Sequence, residues 1–278
     1  MAQTGVSRSA QNVALVRAHL TWLGVVDDPY ARQMLTPDRR RAAAALRLPG
    51  LRRLRLPGLA GLAARTLFFD TFVNEALDGG VRQVVIVGAG YDSRAWRLAR
   101  PGVTFFEIDR PATQHDKRAK APQGGPVYVP ADVTDPQLDA KLREAGFQAD
   151  EPTAFSLESL TAYLADEDVA ALFARLADLA PAGSPLAVSF DNGFERQRSF
   201  SRFARAYYER AGEPWRFRLP SEDAASFLAE SGWTMQSLLN LSDLATEHLT
   251  RTELAGTLDT TSFVVVARKQ VRATTSHR

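Results

Sequence analysis

Apolar positions along the chain follow two periods. Between residues 64 and 80 they recur at helical spacing, with Leu67, Phe69, Phe72, Val73, Ala76 and Leu77 on one face, and Gly79-Gly80 closes the helix. From residue 82 onward, short β-branched and aromatic runs alternate with amphipathic stretches. The pattern predicts strands near 83–88, 103–109, 126–130, 153–158 and 185–190, with helices near 92–99, 111–119, 135–145 and 167–180 between them. Strands alternating with helices mark a parallel sheet covered on both faces. Two further strands are predicted near 233–240 and 260–268, after a less regular section at 192–230. The expected fold class is α/β, with a seven-stranded, mostly parallel sheet.

The N-terminal part reads as a helical cover over 1–80 belonging to the same domain, ahead of a core at 81–268 and a flexible polar tail at 269–278. Asp28 followed by Pro29 has the chemistry of an N-cap and first helical position for DPYARQML. Residues 46–61 hold two copies of an octad, LRLPGLRR and LRLPGLAG, and their Pro-Gly pairs predict a loop or hinged cover.

Composition narrows the class without naming it. At 278 residues with 45% hydrophobic and 24% charged positions, the chain suits one large domain. No cysteine is present, which excludes disulfides, thiolate metal sites and a cysteine nucleophile. No apolar run is long enough to span a bilayer, and the first twenty residues lack a secretion signal, so a cytoplasmic protein without membrane attachment is expected. The isoelectric point is near 9.0 although the net charge is only +2. Residues 1–66 hold eleven arginines against three aspartates, a local balance of +8, which leaves the remainder near −6. Such a basic segment suits an anionic substrate or an acidic carrier protein, or is simply a solvated helical face. Nucleic-acid binding is not expected, because the aromatics are not interleaved with the basic cluster.

The most informative stretch is Val84 to Asp92, VVIVGAGYD. Its aliphatic run suits a buried parallel strand, and Gly88 and Gly90 permit a tight turn close to a ligand. A dinucleotide fingerprint requires a third glycine five positions after the first, where this chain has Ser93. A two-glycine loop followed by an acidic residue at the end of the next strand also describes the S-adenosylmethionine (SAM) pocket of Rossmann-like methyltransferases.

Six segments then fall in order: VSRSA at 6–10, ARTLFFD at 64–70, QVVIVGAGYDSRAWRL at 83–98, FFEIDRP at 105–111, ADVTD at 131–135 and LESLTAYL at 157–164. Together they resemble the leucine carboxyl methyltransferase-like family of SAM-dependent methyltransferases, including its actinobacterial small-molecule branch, over about residues 6–190. The resemblance implies a Rossmann-like class I methyltransferase fold and SAM as cofactor. It places Gly88, Ala89 and Gly90 against the methionine portion, and Asp109 on the ribose hydroxyls, with Glu107 as the fallback on the same strand face. It sets Asp132 and the Val133 backbone at the adenine, unless Asp132 only forms a turn or helix cap. Arg17 and Arg65 would hold the SAM carboxylate, and Glu158 would lie close to the methionine amino group. The chain departs from the family at Ser159, where a glycine is usual, and a serine there would narrow the methyl-transfer mouth or change its polarity.

The implied chemistry is direct in-line transfer of the SAM methyl to an acceptor oxygen about 3 Å away, with rate gained from positioning and desolvation. A carboxylic acid of pKa ~4 arrives ionised, whereas a phenol near ~10 requires a base. His115 and His277 are poorly placed for that role, leaving His19 and His248 as weak candidates, with Tyr163 as a group that would orient the acceptor. The scarcity of histidines leans toward a carboxylate. The expectation is therefore O-methylation of a carboxylate or hydroxyl on a small natural-product acceptor, free or carrier-bound, under a mobile lid at 39–62. An NAD(P)-dependent dehydrogenase and a non-catalytic SAM-binding protein are the alternatives. Oligomeric state is not legible.

Overall fold

In the computed structural model, which describes residues 5–48, 59–192, 209–210, 212–249 and 262–270, seven strands form one sheet in the order β3-β2-β1-β4-β5-β7-β6. They are β1 (Gln83–Val87), β2 (Thr104–Asp109), β3 (Val127–Pro130), β4 (Thr153–Leu157), β5 (Pro185–Asp191), β6 (Trp233–Asn240) and β7 (Ser262–Lys269). The first five pair in parallel, and β7 inserts antiparallel between β5 and the edge strand β6. All five residues of β1 and of β4 are buried, as expected for central strands covered on both faces. Along β1 the side chains alternate: Val85 and Val87 join one core, Val84 and Ile86 the other.

The first core is closed by α6 (Leu138–Glu144), α7 (Asp166–Leu179) and α8 (Ala224–Glu230), through residues such as Leu142, Phe173 and Leu228. The second is closed by α1 (Arg8–Trp22), α3 (Leu59–Asp78) and α9 (Leu241–His248), through Leu20, Phe69, Val73 and Leu244. The short α2 (Pro37–Ala45), α4 (Arg94–Arg97) and α5 (Pro111–Lys120) complete the helices named here. Three acidic residues, Asp166, Glu167 and Asp168, occupy the first turn of α7, where the helix dipole favours them. Among the described residues no helix is long and apolar enough to cross a membrane.

The expected strands match to within two residues, but several helical expectations require correction. Asp28 does cap, accepting from the N–H groups of Tyr30 (3.2 Å) and Ala31 (3.0 Å), yet Pro29 to Met34 form turns and no helix follows. The segment's own bonds run mostly three residues apart, as in Gln33 N to Tyr30 O (3.0 Å) and Leu35 N to Arg32 O (3.3 Å), and the side chain of Gln11 ties off its far end. Its Nε2 donates to Met34 O at 3.0 Å and its Oε1 accepts from Thr36 N at 2.9 Å. The helix expected at 92–99 shortens to α4 because Asp92 Oδ1 accepts from Arg94 N at 2.7 Å, and the one expected at 135–145 starts at Leu138, after a turn in which Asp135 Oδ1 accepts from Gln137 N at 2.8 Å. Residues 39–45 of the expected lid belong to α2, and Leu59 to Leu62 open α3; the part at 49–58 lies outside the described residues. Lys269, placed in the tail by sequence, ends β7, and 271–278 lie outside the described residues.

Candidate functional site

The chain leaves β1 for β2 on one side and later places β4 on the other, so the crevice beyond the ends of β1 and β4 is the topological switch point of the sheet. A cavity of about 370 Å³ opens there. It is bordered by Gly88, Ala89, Gly90, Asp109, Asp132, Val133, Glu158, Tyr163, Arg17 and Arg65, all singled out from sequence. The volume falls within the range of small-molecule sites.

After β1, Gly88 and Gly90 take left-handed φ values of 68° and 51°. The N–H groups of Gly88 and Ala89 both donate to Ile108 O, at 2.8 and 3.0 Å, which ties the turn to β2. A Cβ at Gly88 would stand 2.8 Å from Leu160 Cδ1, and one at Gly90 would stand 3.0 Å from Ala10 Cβ, so any side chain here would push apart the walls of the cavity.

Asp109 ends β2 facing this turn. Its Oδ2 accepts from Gly90 N at 2.6 Å and its Oδ1 from Arg110 N at 2.7 Å, so each oxygen keeps acceptor capacity for a ligand hydroxyl. Burial raises its pKa, and the two N–H bonds oppose the rise. Glu107, on the same strand face, is wholly buried on Lys117 and does not border the cavity. Burial pushes its pKa up to about 7, with Lys117 pulling the other way. Asp132 is exposed, and its Oδ1 accepts from both Thr134 N (3.0 Å) and Thr134 Oγ1 (2.8 Å). The Asx turn weighed as its structural role is therefore formed, while its Oδ2 bonds to no described residue.

Behind the glycine turn lies a buried charge cluster. Arg94 is fully buried and donates to Asp92 (2.6 Å), Asp70 (2.7 Å), Glu158 (2.8 Å) and Thr66 O (3.3 Å), with its guanidinium 5.5 Å from the Phe69 ring centroid. Arg97 holds Asp70 bidentately at 2.6 and 2.8 Å, and Arg65 Nε donates to the other oxygen of Glu158 at 3.1 Å. Burial alone would raise the pKa values of Asp70, Asp92 and Glu158; Arg94 and its neighbours reverse this and hold all three below the usual carboxylate range. Arg17 is pinned by a hydrogen bond to Tyr91 O and stands 3.4 Å from Asp28. The cluster fixes Glu158 and Arg65 as an ion pair at the cavity wall.

The weak base candidates are not brought here. His19 stacks on Trp22 at 5.6 Å, does not border the cavity, and has its pKa lowered by burial and then by Arg47. The side chain of His248, on α9, lies outside what is described. Tyr163 does border the cavity, in a one-turn 3-10 helix, Thr161–Tyr163.

Sequence reasoning missed the roof. Glu213, 5% exposed, accepts from Ser7 Oγ at 2.7 Å and from Ser9 N at 2.8 Å, and Arg110 Nη2 lies 3.3 Å away. One carboxylate thus joins the start of α1 to a segment 206 residues later, and both border the cavity. No local pattern signals such a pairing. Glu213→Ala leaves the Ser9 N–H without its carboxylate, and a stability loss of about 1–3 kcal/mol is expected in denaturant titration.

With this geometry in place, comparison with known proteins is specific. Residues 10–177 match the family model described as leucine carboxyl methyltransferase, and residues 98–269 match the one described as S-adenosyl methyltransferase. A Mycobacterium leprae protein named for SAM-dependent methyl transfer is 35% identical over 249 residues, covering 81% of this chain and 78% of that protein. A Mycobacterium ulcerans protein named in the same way is 42% identical over 139 residues, which is 48% of this chain and only 44% of that protein's length. A Thermobifida fusca crystal structure described as a methyltransferase superposes with a TM-score of 0.63 at 16% identity, covering 96% of each chain, and shares the fold.

Proposed function

The chain belongs to the leucine carboxyl methyltransferase family, and from that premise we propose that it is a SAM-dependent O-methyltransferase whose acceptor is the carboxylate of a small organic acid, with a hydroxyl as the less favoured acceptor. The observation that carries the reading is the convergence of the glycine turn, Asp109, Glu158 and Arg65 on one cavity at the switch point of the sheet. Bound there, SAM supplies an electrophilic methyl group. The chain's own part is to hold the cofactor, aim the acceptor oxygen and exclude water.

The donor set fits that cofactor. Asp109 retains an acceptor position on each oxygen for the two ribose hydroxyls, and the buried arginines keep Glu158 ionised to meet a methionine ammonium. Arg65 and Arg17, at the wall, would hold the methionine carboxylate, and Asp132 Oδ2 would accept from the adenine amino group. Ser93, wholly buried and accepting from Arg97 Nε at 2.9 Å, is built into the turn where a dinucleotide site would carry glycine, which weighs against the dehydrogenase alternative.

Two features favour a carboxylate acceptor. Arg17, Arg65 and Arg110 each face a carboxylate of the chain, whereas Arg216, also at the cavity wall, makes no ion pair with a described residue. No histidine is among the described residues bordering the cavity, and an acceptor that arrives ionised requires no base.

Calorimetric titration with SAM, S-adenosylhomocysteine (SAH) and NADH, followed by transfer of labelled methyl to acids from butyrate to octanoate, benzoate and phenol, tests the reading. SAH binding and label in an acid are expected. NADH binding without SAH binding would point to a dehydrogenase, and tight SAH binding without transfer to a non-catalytic binder.

A further inference from the structure

Ser159 is the one non-glycine residue with positive φ among the described residues, at 56°, and it sits in the cavity wall directly after Glu158. An L side chain in this region brings Cβ against its own backbone, and glycine takes the same conformation without that penalty. The neighbours impose it. Ser159 N donates to Ser189 Oγ at 2.8 Å, Glu158 is held by Arg65 and Arg94, and Leu160 is packed against the Gly88 backbone. Strain that persists under such constraint is characteristic of ligand sites.

The hydroxyl itself has nothing to do within the described structure. Of the other small hydroxyls at the cavity, Ser7 bonds to Glu213, Ser9 to Ser7 and Thr134 to Asp132. Ser159 borders the cavity, its backbone N–H is the group bonded to Ser189, and its hydroxyl bonds to no described residue. A strained backbone that glycine would relieve, at a residue of the cavity wall whose hydroxyl has no partner among the described residues, points to a use for the hydroxyl.

We propose that Ser159 is the specificity-determining residue of the acceptor side: its hydroxyl donates to the carboxylate oxygen of the acceptor that is not methylated, selecting acids over monohydric phenols. This rests on the methyltransferase reading above. The serine follows Glu158, the carboxylate assigned to the methionine amino group, and so would lie near the methyl end of a cofactor held in that way. An acid offers a second oxygen there, and a simple phenol does not.

Ser159→Ala keeps the strained Cβ and removes the hydroxyl; Ser159→Gly removes both. The measurements are Tm without ligand, SAH affinity by calorimetry, and kcat and KM on the acid best turned over in the panel of acids and phenol. Both variants are expected to raise acceptor KM about tenfold, the loss of one hydrogen bond to a charged group, with SAH affinity within about twofold of wild type. Only Ser159→Gly should also raise Tm, by about 2 °C. Wild-type kcat/KM in Ser159→Gly overturns the proposal, as does a parallel loss of SAH affinity, which would put the hydroxyl on the cofactor. A wild-type protein that binds SAH and methylates nothing removes the underlying reading and this inference with it, whereas equal activity of variants and wild type removes the inference alone.

Discussion

Replacing Arg94 by leucine is expected to destabilise the protein by about 3–5 kcal/mol, a large fraction of the total stability of an ordinary domain. Arg94 has no exposed surface and serves three carboxylates at once, Asp92, Asp70 and Glu158. Leucine approximates its apolar stem but leaves three negative groups with too few partners; Arg97 and Arg65 retain Asp70 and Glu158, and Asp92 loses its strongest contact. The pH dependence identifies the cause. In the wild type these carboxylates have folded pKa values below their unfolded values, so their stabilising contribution is complete above about pH 4 and is lost as pH falls through the folded values. Without Arg94 burial dominates at Asp92 and carries its pKa above the unfolded value, so the group takes up a proton on acidification and the variant's deficit should narrow. Urea denaturation of both proteins at neutral pH and near pH 5 measures this. A deficit independent of pH would mean that lost packing, not unpaired charge, is responsible.

Removing the Asp109 carboxylate should produce the largest loss in ligand binding. Two charge-assisted hydrogen bonds to ribose, each worth about 1.5–3 kcal/mol, correspond to at least about a hundredfold loss of SAH affinity in Asp109→Ala. The same substitution frees Gly90 N–H and Arg110 N–H, so Asp109→Asn, which keeps one carbonyl oxygen as an acceptor, separates turn geometry from ligand contact. Burial raises the Asp109 pKa, so protonation begins at higher pH than for an ordinary aspartate. Wild-type SAH affinity should therefore fall on the acid side, and that limb should be missing from Asp109→Asn. Calorimetry across a pH series reads both effects. Undiminished affinity in Asp109→Ala would move the ribose contact elsewhere, with Asp132 next to be tested.

Local pattern made much of the fold and the site legible. The strands could be placed because central parallel strands are buried on both faces and read as unbroken apolar runs, as in QVVIV, and their bounds follow from the flanking turn residues. The cavity-facing residues at strand ends were placed by the resemblance to the methyltransferase family, and they stand where chemistry in such a sheet concentrates, just past the carboxyl ends of strands. Where a local signal competed with a distant partner, the local reading failed. DPYARQML has the chemistry of a helix start, yet it forms successive turns whose far end is held by the distant Gln11, at Met34 O and Thr36 N. Glu107 and Asp109 share a strand face, and only the approach of Lys117 from α5 makes one an internal ion pair and leaves the other at the cavity. Arg94 and Arg97 lie in the same segment as the glycines, QVVIVGAGYDSRAWRL, but nothing local marks Asp70, 24 residues before Arg94, as their partner.

The sequence by itself determined the element order, the glycine turn and the carboxylate at the end of the second strand, because periodicity, backbone freedom and spacing along one strand are properties of neighbouring residues. Tertiary structure alone decided that Glu213 closes the roof on Ser7 and Ser9, that Arg94 neutralises three acids, and that Ser159 stands left-handed in the cavity wall. These depend on which distant groups burial forces together. Desolvation makes every enclosed charge require a partner, and the partner is set by the packing of the sheet and its helices, not by distance along the chain.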